Sequence, residues 1–310
     1  MKRYHTEYAY AKINPYLAVT SRREDGYHTI LSHMQAITLH DTLTFSWEPA
    51  ACEGRSLSLR CDRESLPCDG TNLICRAAEA LFHWLEAQGH AVCGVFDIML
   101  QKQIPVSAGL AGGSADAAAT LRGLNAILGT SLSLDILCRI GATLGADIPF
   151  CLMSTTYTAM TAQGMGEILT PAVPLPPSCH LVVACHGEGV STPWAYRSLD
   201  EQGGGYAFGR AELQYAAFAA ALATEQLDTL AAHSHNCFEK VVLPERPQAA
   251  LLMQLMEQSG ACFVRMSGSG PSVVGYFDDA EQANACAQQL REQQIKAFVC
   301  RPLTRADHEV

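Results

Sequence analysis

The sequence predicts a two-domain α+β protein, and three observations carry that reading. The chain has 310 residues, which suits about two domains and a sizeable core. Its first half reads as strands that feed, through a glycine-rich segment, into a long helix. Its second half reads as helices followed by a strand–strand–helix–strand run, the pattern of a small α+β unit. Hydrophobic residues make up 48% of the chain and charged residues 17%, the balance of a folded chain and not of a disordered one.

The elements follow in order. From Ile37 to Trp47 apolar and polar residues alternate, with Leu39, Leu43, Phe45 and Trp47 on one face, the period of a half-buried strand; Leu57–Leu59 continues in that manner. Between Asn72 and Gln88, Leu73, Ala77, Leu81 and Leu85 recur at helical spacing, and Gly89 stops the helix. Val95–Leu100 is a strand that delivers Lys102 and Pro105 to the glycine segment. Ser114 is the expected N-cap of an alanine-rich helix that runs to Leu128 and stops at Gly129. Ser133 caps a further helix that ends before Gly145. Pro171, Pro174, Pro176 and Pro177 mark a connector, Leu181–Cys185 is a buried strand, and Gly203 to Gly205 is a turn. Helices are expected over Glu212–Leu222, Glu225–His233 and Pro247–Gln258. Strands are expected over Cys262–Arg265, Ser272–Phe277 and Ala297–Cys300, with a helix over Ala280–Gln293 between the last two. The domains are placed at 1–165 and 166–310.

Chemistry concentrates in the glycine segment from Pro105 to Ala119. Gly109, Gly112 and Gly113 allow unusual dihedrals and close approach to a ligand. A glycine loop that opens a helix presents unpaired N–H groups and the positive end of a helix dipole, which together form an anion site, most often for phosphate. No Gly-Lys-Ser/Thr follows, so this is not a Walker A loop, and no Gly-x-Gly-x-x-Gly is present to mark a dinucleotide fold. Four smaller clusters accompany it. Lys12 and Asn14 sit among apolar neighbours, where a lysine is either at the surface or needs an anionic partner. Asp147, between Gly145-Ala146 and Ile148-Pro149, is placed at the C-terminal end of a helix, against the unfavourable end of the dipole, and reads as a general base, a metal ligand or a turn aspartate. Met266 to Ser272 is a second small-residue turn, able to press on a ligand or on the first glycine loop. Asp25 to His28 sets two ring side chains after a glycine, which suits stacking on a flat ring or packing against another aromatic.

Other classes are excluded or disfavoured. The net charge of −10, with no basic run, argues against nucleic acid as a partner. Thirteen cysteines, an odd number without any Cys-x-x-Cys, fit reduced thiols better than disulfides or a zinc site. Met1 to Glu7 has no apolar run of the secretory kind, and no segment reaches the ~18–20 apolar residues of a membrane span, so a cytoplasmic protein is expected.

In this order and at these intervals, Lys12 and Asn14, the loop Pro105–Ala115, Asp147 after Gly145-Ala146, and Ser267 to Pro271 resemble the motifs of the GHMP small-molecule kinases. The resemblance runs from Ala11 to about Phe277. It implies a two-domain fold, with an ATP-binding half of ribosomal-protein-S5-like topology and a ferredoxin-like C-terminal half. Gly26-Tyr27-His28 and Gly145 to Phe150 are most similar to those members that phosphorylate a cytidine-diphosphate-linked methylerythritol on the nonmevalonate isoprenoid route. Asp147 is then the base and Lys12 the charge beside it. Pro105, Val106, Ser107, Ala108, Gly109, Leu110, Ala111, Gly112, Gly113, Ser114 and Ala115 wrap the triphosphate of ATP, and Asn72, Leu73 and Lys102 line the adenine pocket. Asn14 and His28 bind the cytidine, and Tyr27 and Tyr196 flank its ring. Magnesium accompanies ATP, with Ser114 as its one candidate contact. The partner is a small molecule carrying cytidine diphosphate, with no nucleic acid and no membrane, and the chain is a monomer or a homodimer. Pro15, after Asn14, departs from the usual aliphatic residue and removes one strand N–H. A kinase for another alcohol, of the homoserine or mevalonate type, and a nucleotide-binding homologue without activity are the competing readings.

Overall fold

The structure, a computed structural model, describes residues 1–50, 54–204, 206 and 208–308. By packing, the chain forms two compact units whose segments alternate along the sequence. The first comprises Met1–Ala11, His40–Ile104 and Ala111–Met153; the second comprises Lys12–Leu39, Pro105–Leu110 and Ser154–Val310. Two long neighbouring strands, β1 (Arg3–Arg22) and β2 (His28–Glu48), contribute to both.

In the first unit follow β3 (Arg55–Cys61), α1 (Leu73–Ala87), β4 (Gly94–Gln101), α2 (Gly112–Leu128), α3 (Leu134–Ala142) and α4 (Ile148–Met153). Strand β4 pairs antiparallel with β2, Thr42 opposite Gln101 and Glu48 opposite Val95, and parallel with β3. Its alternation is that of a sheet with one wet face: Phe96, Ile98 and Leu100 are buried while Val95 and Met99 are exposed. Helix α2 buries Ala115, Ala117, Ala118, Leu121 and Leu124. Gly123 lets it approach the sheet, since a Cβ there would stand 2.5 Å from the Phe45 ring.

Two expectations are corrected here. Ser114 does not cap α2. The helix opens at Gly112, with Ala111 as N-cap in the left-handed region (φ 55°) and no side-chain cap. A Cβ at Gly112 would lie 2.9 Å from Ile104, so glycine lets the helix start against that wall and draws Ser114 into the first turn. Asp147 does not end a helix. Helix α3 stops at Ala142, and Asp147 directly precedes α4, its carbonyl accepting from Cys151 N–H. The side chain therefore stands at the favourable, positive end of a short helix. Ser133 does cap α3, accepting from Ile136 N–H.

The second unit continues with β5 (Ala159–Gln163), β6 (Ile168–Pro171), β7 (His180–Cys185), α5 (Thr192–Glu201), α6 (Phe208–Leu222), α7 (Leu227–His233), β8 (His235–Asn236), α8 (Glu239–Val242), α9 (Pro247–Gln258), β9 (Phe263–Met266), β10 (Val273–Phe277), α10 (Ala280–Glu292) and β11 (Lys296–Cys300). Four of these strands form an antiparallel sheet in the order β11-β7-β10-β9, whose core holds Val182, Val264, Phe277, Leu252, Met256 and Leu290. A second cluster joins Leu17 and Val19 of β1 and Ile30 of β2 to Ala195, Leu199, Phe238, Val242 and Met266. Strand β5 pairs with β2 and β6, and β8 pairs parallel with β1 at Tyr16 and Leu17. Pro171 closes β6 instead of opening the connector. Gly203 and Gly204 have positive φ, and Gly205 lies outside the described residues. The twelve cysteines among the described residues are free thiols.

Candidate active site

Lys12 lies on β1 and is only 5% exposed, which rules out the surface reading. A lysine in that position needs acceptors. Its Nζ donates to Asn14 Oδ1 at 2.6 Å, Asn14 Nδ2 donates to Ser32 Oγ at 2.9 Å, and Ser32 Oγ donates to the Tyr16 carbonyl at 2.8 Å. Asn14 is 2% exposed. Its amide thereby orients Lys12 and keeps a second lone pair on Oδ1 and a second hydrogen on Nδ2. Ser32 has no counterpart among the residues the sequence singles out. A lone serine in a β-strand gives no sequence signal of its own.

The loop 105–110 is held from behind through its carbonyls. Ala108 O accepts from Ser272 N–H at 3.3 Å, Gly109 O from Ser267 Oγ at 2.9 Å, and Leu110 O from Lys12 N–H at 3.1 Å. None of the N–H groups of residues 106–110 donates to another group among the described residues. Ser107 and Gly109 have φ of 53° and 77°. Alternating left-handed residues turn successive N–H groups to one side, a concavity suited to anions. Ala111, at φ 55°, continues the alternation into the uncapped start of α2. The second glycine turn is the backing of this loop: a Cβ on Gly109 would overlap the Ser267 carbonyl. The Met266–Ser272 turn presses on the first loop. Asn236, unforeseen in the sequence, pins the turn by donating to Met266 O at 2.7 Å and Gly268 O at 2.9 Å.

The turn at Asp25 is closed by its own hydrogen bonds. Asp25 Oδ1 accepts from Tyr27 N–H, and Arg23 N–H donates to the Tyr27 carbonyl. This offers Tyr27, 66% exposed, to solvent. His28 turns inward, its Nε2 2.9 Å from Asp200 Oδ1 and its ring stacked on Tyr196 with centroids 4.6 Å apart. Tyr196 also meets Phe238 edge-on and so backs the His28 ring. Tyr206 hydroxyl donates to Asp200 and Arg22 lies 3.5 Å from it. Burial pushes the Asp200 carboxyl up, but the hydrogen bonds from Tyr206 and His28, with the charges of His28 and Arg22, hold it below the usual carboxylate range.

In the first unit, Asn72 caps α1 by accepting from Ile74 N–H at 2.9 Å and donates to Pro67 O. Leu73 packs beside Gly113, where a Cβ would lie 3.4 Å from Leu73 Cδ1. Asn72, Leu73 and the start of α2 are thus neighbours. Lys102, expected at the adenine, is held within an ion-pair cluster. It is 5% exposed, and its Nζ is held by Asp41 at 2.5 Å and Asp116 at 2.6 Å. Asp41 also accepts from Gln103 and Ile104 N–H, tying the chain that leads to the glycine loop, while Asp116 Oδ1 has no partner. Burial pushes the Asp116 carboxyl up, Lys102 pulls it back and Asp41 pushes it up again, to about 7.

Comparison with known proteins places this arrangement. The model of the GHMP kinases N terminal domain matches residues 72–155, and that of the GHMP kinases C terminal domain matches residues 218–296. Fold and glycine motifs thus define a small-molecule kinase. The 4-diphosphocytidyl-2-C-methyl-D-erythritol kinase of Gloeobacter violaceus is 37% identical over 297 residues, covering 94% of this chain and 92% of its own. That of a Synechococcus species is 40% identical over 289 residues, covering 92% and 89%. A crystal structure of 4-(cytidine 5'-diphospho)-2C-methyl-D-erythritol kinase superposes with a TM-score of 0.73 at 30% identity, covering 98% of this chain and 100% of that one. Mevalonate kinase of L. major, at TM-score 0.72 and 14% identity, shares the fold. The chain belongs to the 4-diphosphocytidyl-2-C-methyl-D-erythritol kinase family within the GHMP kinases.

Proposed function

We propose that the protein transfers the γ-phosphoryl of ATP to the 2-hydroxyl of 4-diphosphocytidyl-2-C-methyl-D-erythritol. The observation that carries the chemistry is the loop 105–110, in which the carbonyls of residues 108–110 are bound while the N–H groups of residues 106–110 have no acceptor among the described residues. Unpaired N–H groups leading into an uncapped helix start attract phosphate. The family relation supports the choice of alcohol.

In this reading Asp147 takes the proton of the 2-hydroxyl as its oxygen bonds to the γ-phosphorus. The bond from that phosphorus to the β–γ bridging oxygen breaks, and ADP leaves. Lys12, its ammonium aimed by Asn14, neutralises charge on the moving phosphoryl. Such a reaction needs positioning and charge more than covalent help. Residues 105–115 hold the phosphates, with Asn72 and Leu73 on the nucleotide side. Tyr27 offers a face to the cytosine and His28 an edge. Magnesium enters with ATP. The Ser114 hydroxyl, in the first turn of α2, would offer the ion a protein contact. When bound, it draws charge from the β- and γ-phosphates.

A coupled ADP-release assay tests this with the cytidine diphosphate substrate, mevalonate and homoserine. Turnover is expected with the first alone. Turnover only with mevalonate or homoserine would reassign the alcohol, and ATP binding without turnover on any of the three would make the chain a non-catalytic homologue.

A further inference from the structure

We propose that Asp200 sets the base selectivity of this site, by fixing which nitrogen His28 turns to the ligand. The inference rests on the reading that Tyr27 and His28 receive the cytosine. A carboxylate only accepts, so the 2.9 Å contact with Asp200 Oδ1 places a hydrogen on His28 Nε2. Asp200 is itself held, by the Tyr206 hydroxyl on the same oxygen and by Arg22 near the other. The ring is held too, by Tyr196 on one face and by the edge of Tyr206 at 5.8 Å. Tyr196 and Asp200 stand four residues apart on α5, so one helix face supplies both the backing ring and the carboxylate.

His28 Nδ1 has no partner among the described residues and is the polar atom left for a ligand. With the hydrogen kept on Nε2, a neutral ring presents Nδ1 as an acceptor. Cytosine matches it with the donor amine at C4. Uracil carries a carbonyl oxygen there, and two acceptors would face each other. If the carboxylate is replaced by an amide, which can itself donate to Nε2, the ring is free to carry its hydrogen on Nδ1. It would then suit the uracil oxygen.

The test is steady-state kinetics at about pH 8 on the cytidine diphosphate substrate and its uridine diphosphate counterpart, with wild type, Asp200→Asn and Asp200→Glu. In Asp200→Asn, KM for the cytidine form is expected to rise on the order of tenfold, the usual consequence of an unmatched polar contact. The cytidine-over-uridine ratio of kcat/KM should fall by a similar factor while KM for ATP stays put, and Asp200→Glu should restore part of the ratio. An unchanged ratio in Asp200→Asn, or equal losses on both substrates together with ATP, would overturn the assignment. A wild-type enzyme without preference for cytidine would overturn the base reading and the inference with it. Imidazole nitrogen NMR of the wild-type protein decides the matter without any variant of Asp200: the His28 hydrogen is expected on Nε2, and finding it on Nδ1 overturns the proposal.

Discussion

A buried lysine is costly unless its charge is answered, and the first unit and the second unit each hold one. Lys12 is aimed by a relay of Asn14, Ser32 and the Tyr16 carbonyl, whereas Lys102 is enclosed between Asp41 and Asp116. Their neighbours separate the two roles. Lys12 donates to an amide and is the one proposed for the reaction, while Lys102 faces two carboxylates that tie it into the first unit. If Asp147 and Lys12 act on one proton and one phosphoryl, Asp147→Asn should retain ATP binding while turnover falls by roughly 10²–10⁴-fold. Lys12→Ala should also slow turnover, and the double variant should lose far less than the product of the two single losses, because they act as a unit. Near-normal turnover of Asp147→Asn would remove it as the base. Asp116 yields a stability prediction of definite sign. Its carboxyl is raised to about 7 in the folded protein, so the folded state holds a proton that the unfolded chain gives up in the ordinary carboxylate range. The contribution is complete below about pH 4 and is lost as pH rises through about 7. Relative to wild type, Asp116→Asn should therefore gain stability between pH 5 and pH 8, read from urea midpoints; a constant difference across that range would contradict it. The pattern of residues disclosed Lys12 and Asp147 as candidates but not these partners, since Asp41, Ser32 and Asn236 are brought in by pairing across distant segments.

At the scale of elements, the two glycine turns work as one part. Gly109 has φ 77°, and its Cα faces the Ser267 carbonyl so closely that no side chain fits. Gly109→Ala is expected to raise KM for ATP by an order of magnitude or more, because strain and overlap of about 1–3 kcal/mol must be relieved by moving the loop. KM for the cytidine substrate should change less. Gly123→Ala makes the contrasting case: its Cβ would meet the Phe45 ring, a packing fault away from the glycine loop. It should lower stability by about 1–3 kcal/mol in denaturant unfolding and leave KM for ATP in place. Most elements were legible because their periodicity is strong: α1, β4, α3, β7, α9 and the final β10-α10-β11 run fall within a few residues of expectation. The start of α2 was not. Capping preference favours serine, but here tertiary packing of Gly112 against Ile104 decides the first helical residue. Strands β5 and β6 were missed because Ala159–Gln163 and Ile168–Pro171 are short and carry little alternation. The sequence pattern sets Asp147 on the wrong helix end because six residues, Ile148–Met153, are too few to show a period.

For the whole molecule, sequence order and packing order differ. A cut between 165 and 166 separates contiguous halves, yet Lys12–Leu39 and Pro105–Leu110 pack with the residues that follow Ser154. The reason is visible in the apolar cluster that joins Leu17, Val19 and Ile30 to Ala195, Leu199, Phe238, Val241, Val242 and Met266. The partner β8, which pairs with β1 at Tyr16 and Leu17, also comes from beyond the cut. A 1–165 fragment would leave these side chains without their partners. Burial of a Leu, Val or Ile side chain is worth roughly 1.5–3 kcal/mol each, and net domain stability is only about 5–15 kcal/mol. Exposing this group therefore removes a large share of what a fragment could have. We expect the 1–165 fragment to lack a cooperative thermal transition and to show poorly dispersed amide resonances, while mixing it with a 166–310 fragment restores both. A fragment that melts cooperatively on its own, with a dispersed spectrum, would establish 1–165 as an autonomous domain and show that the cluster around Leu17 is dispensable for folding.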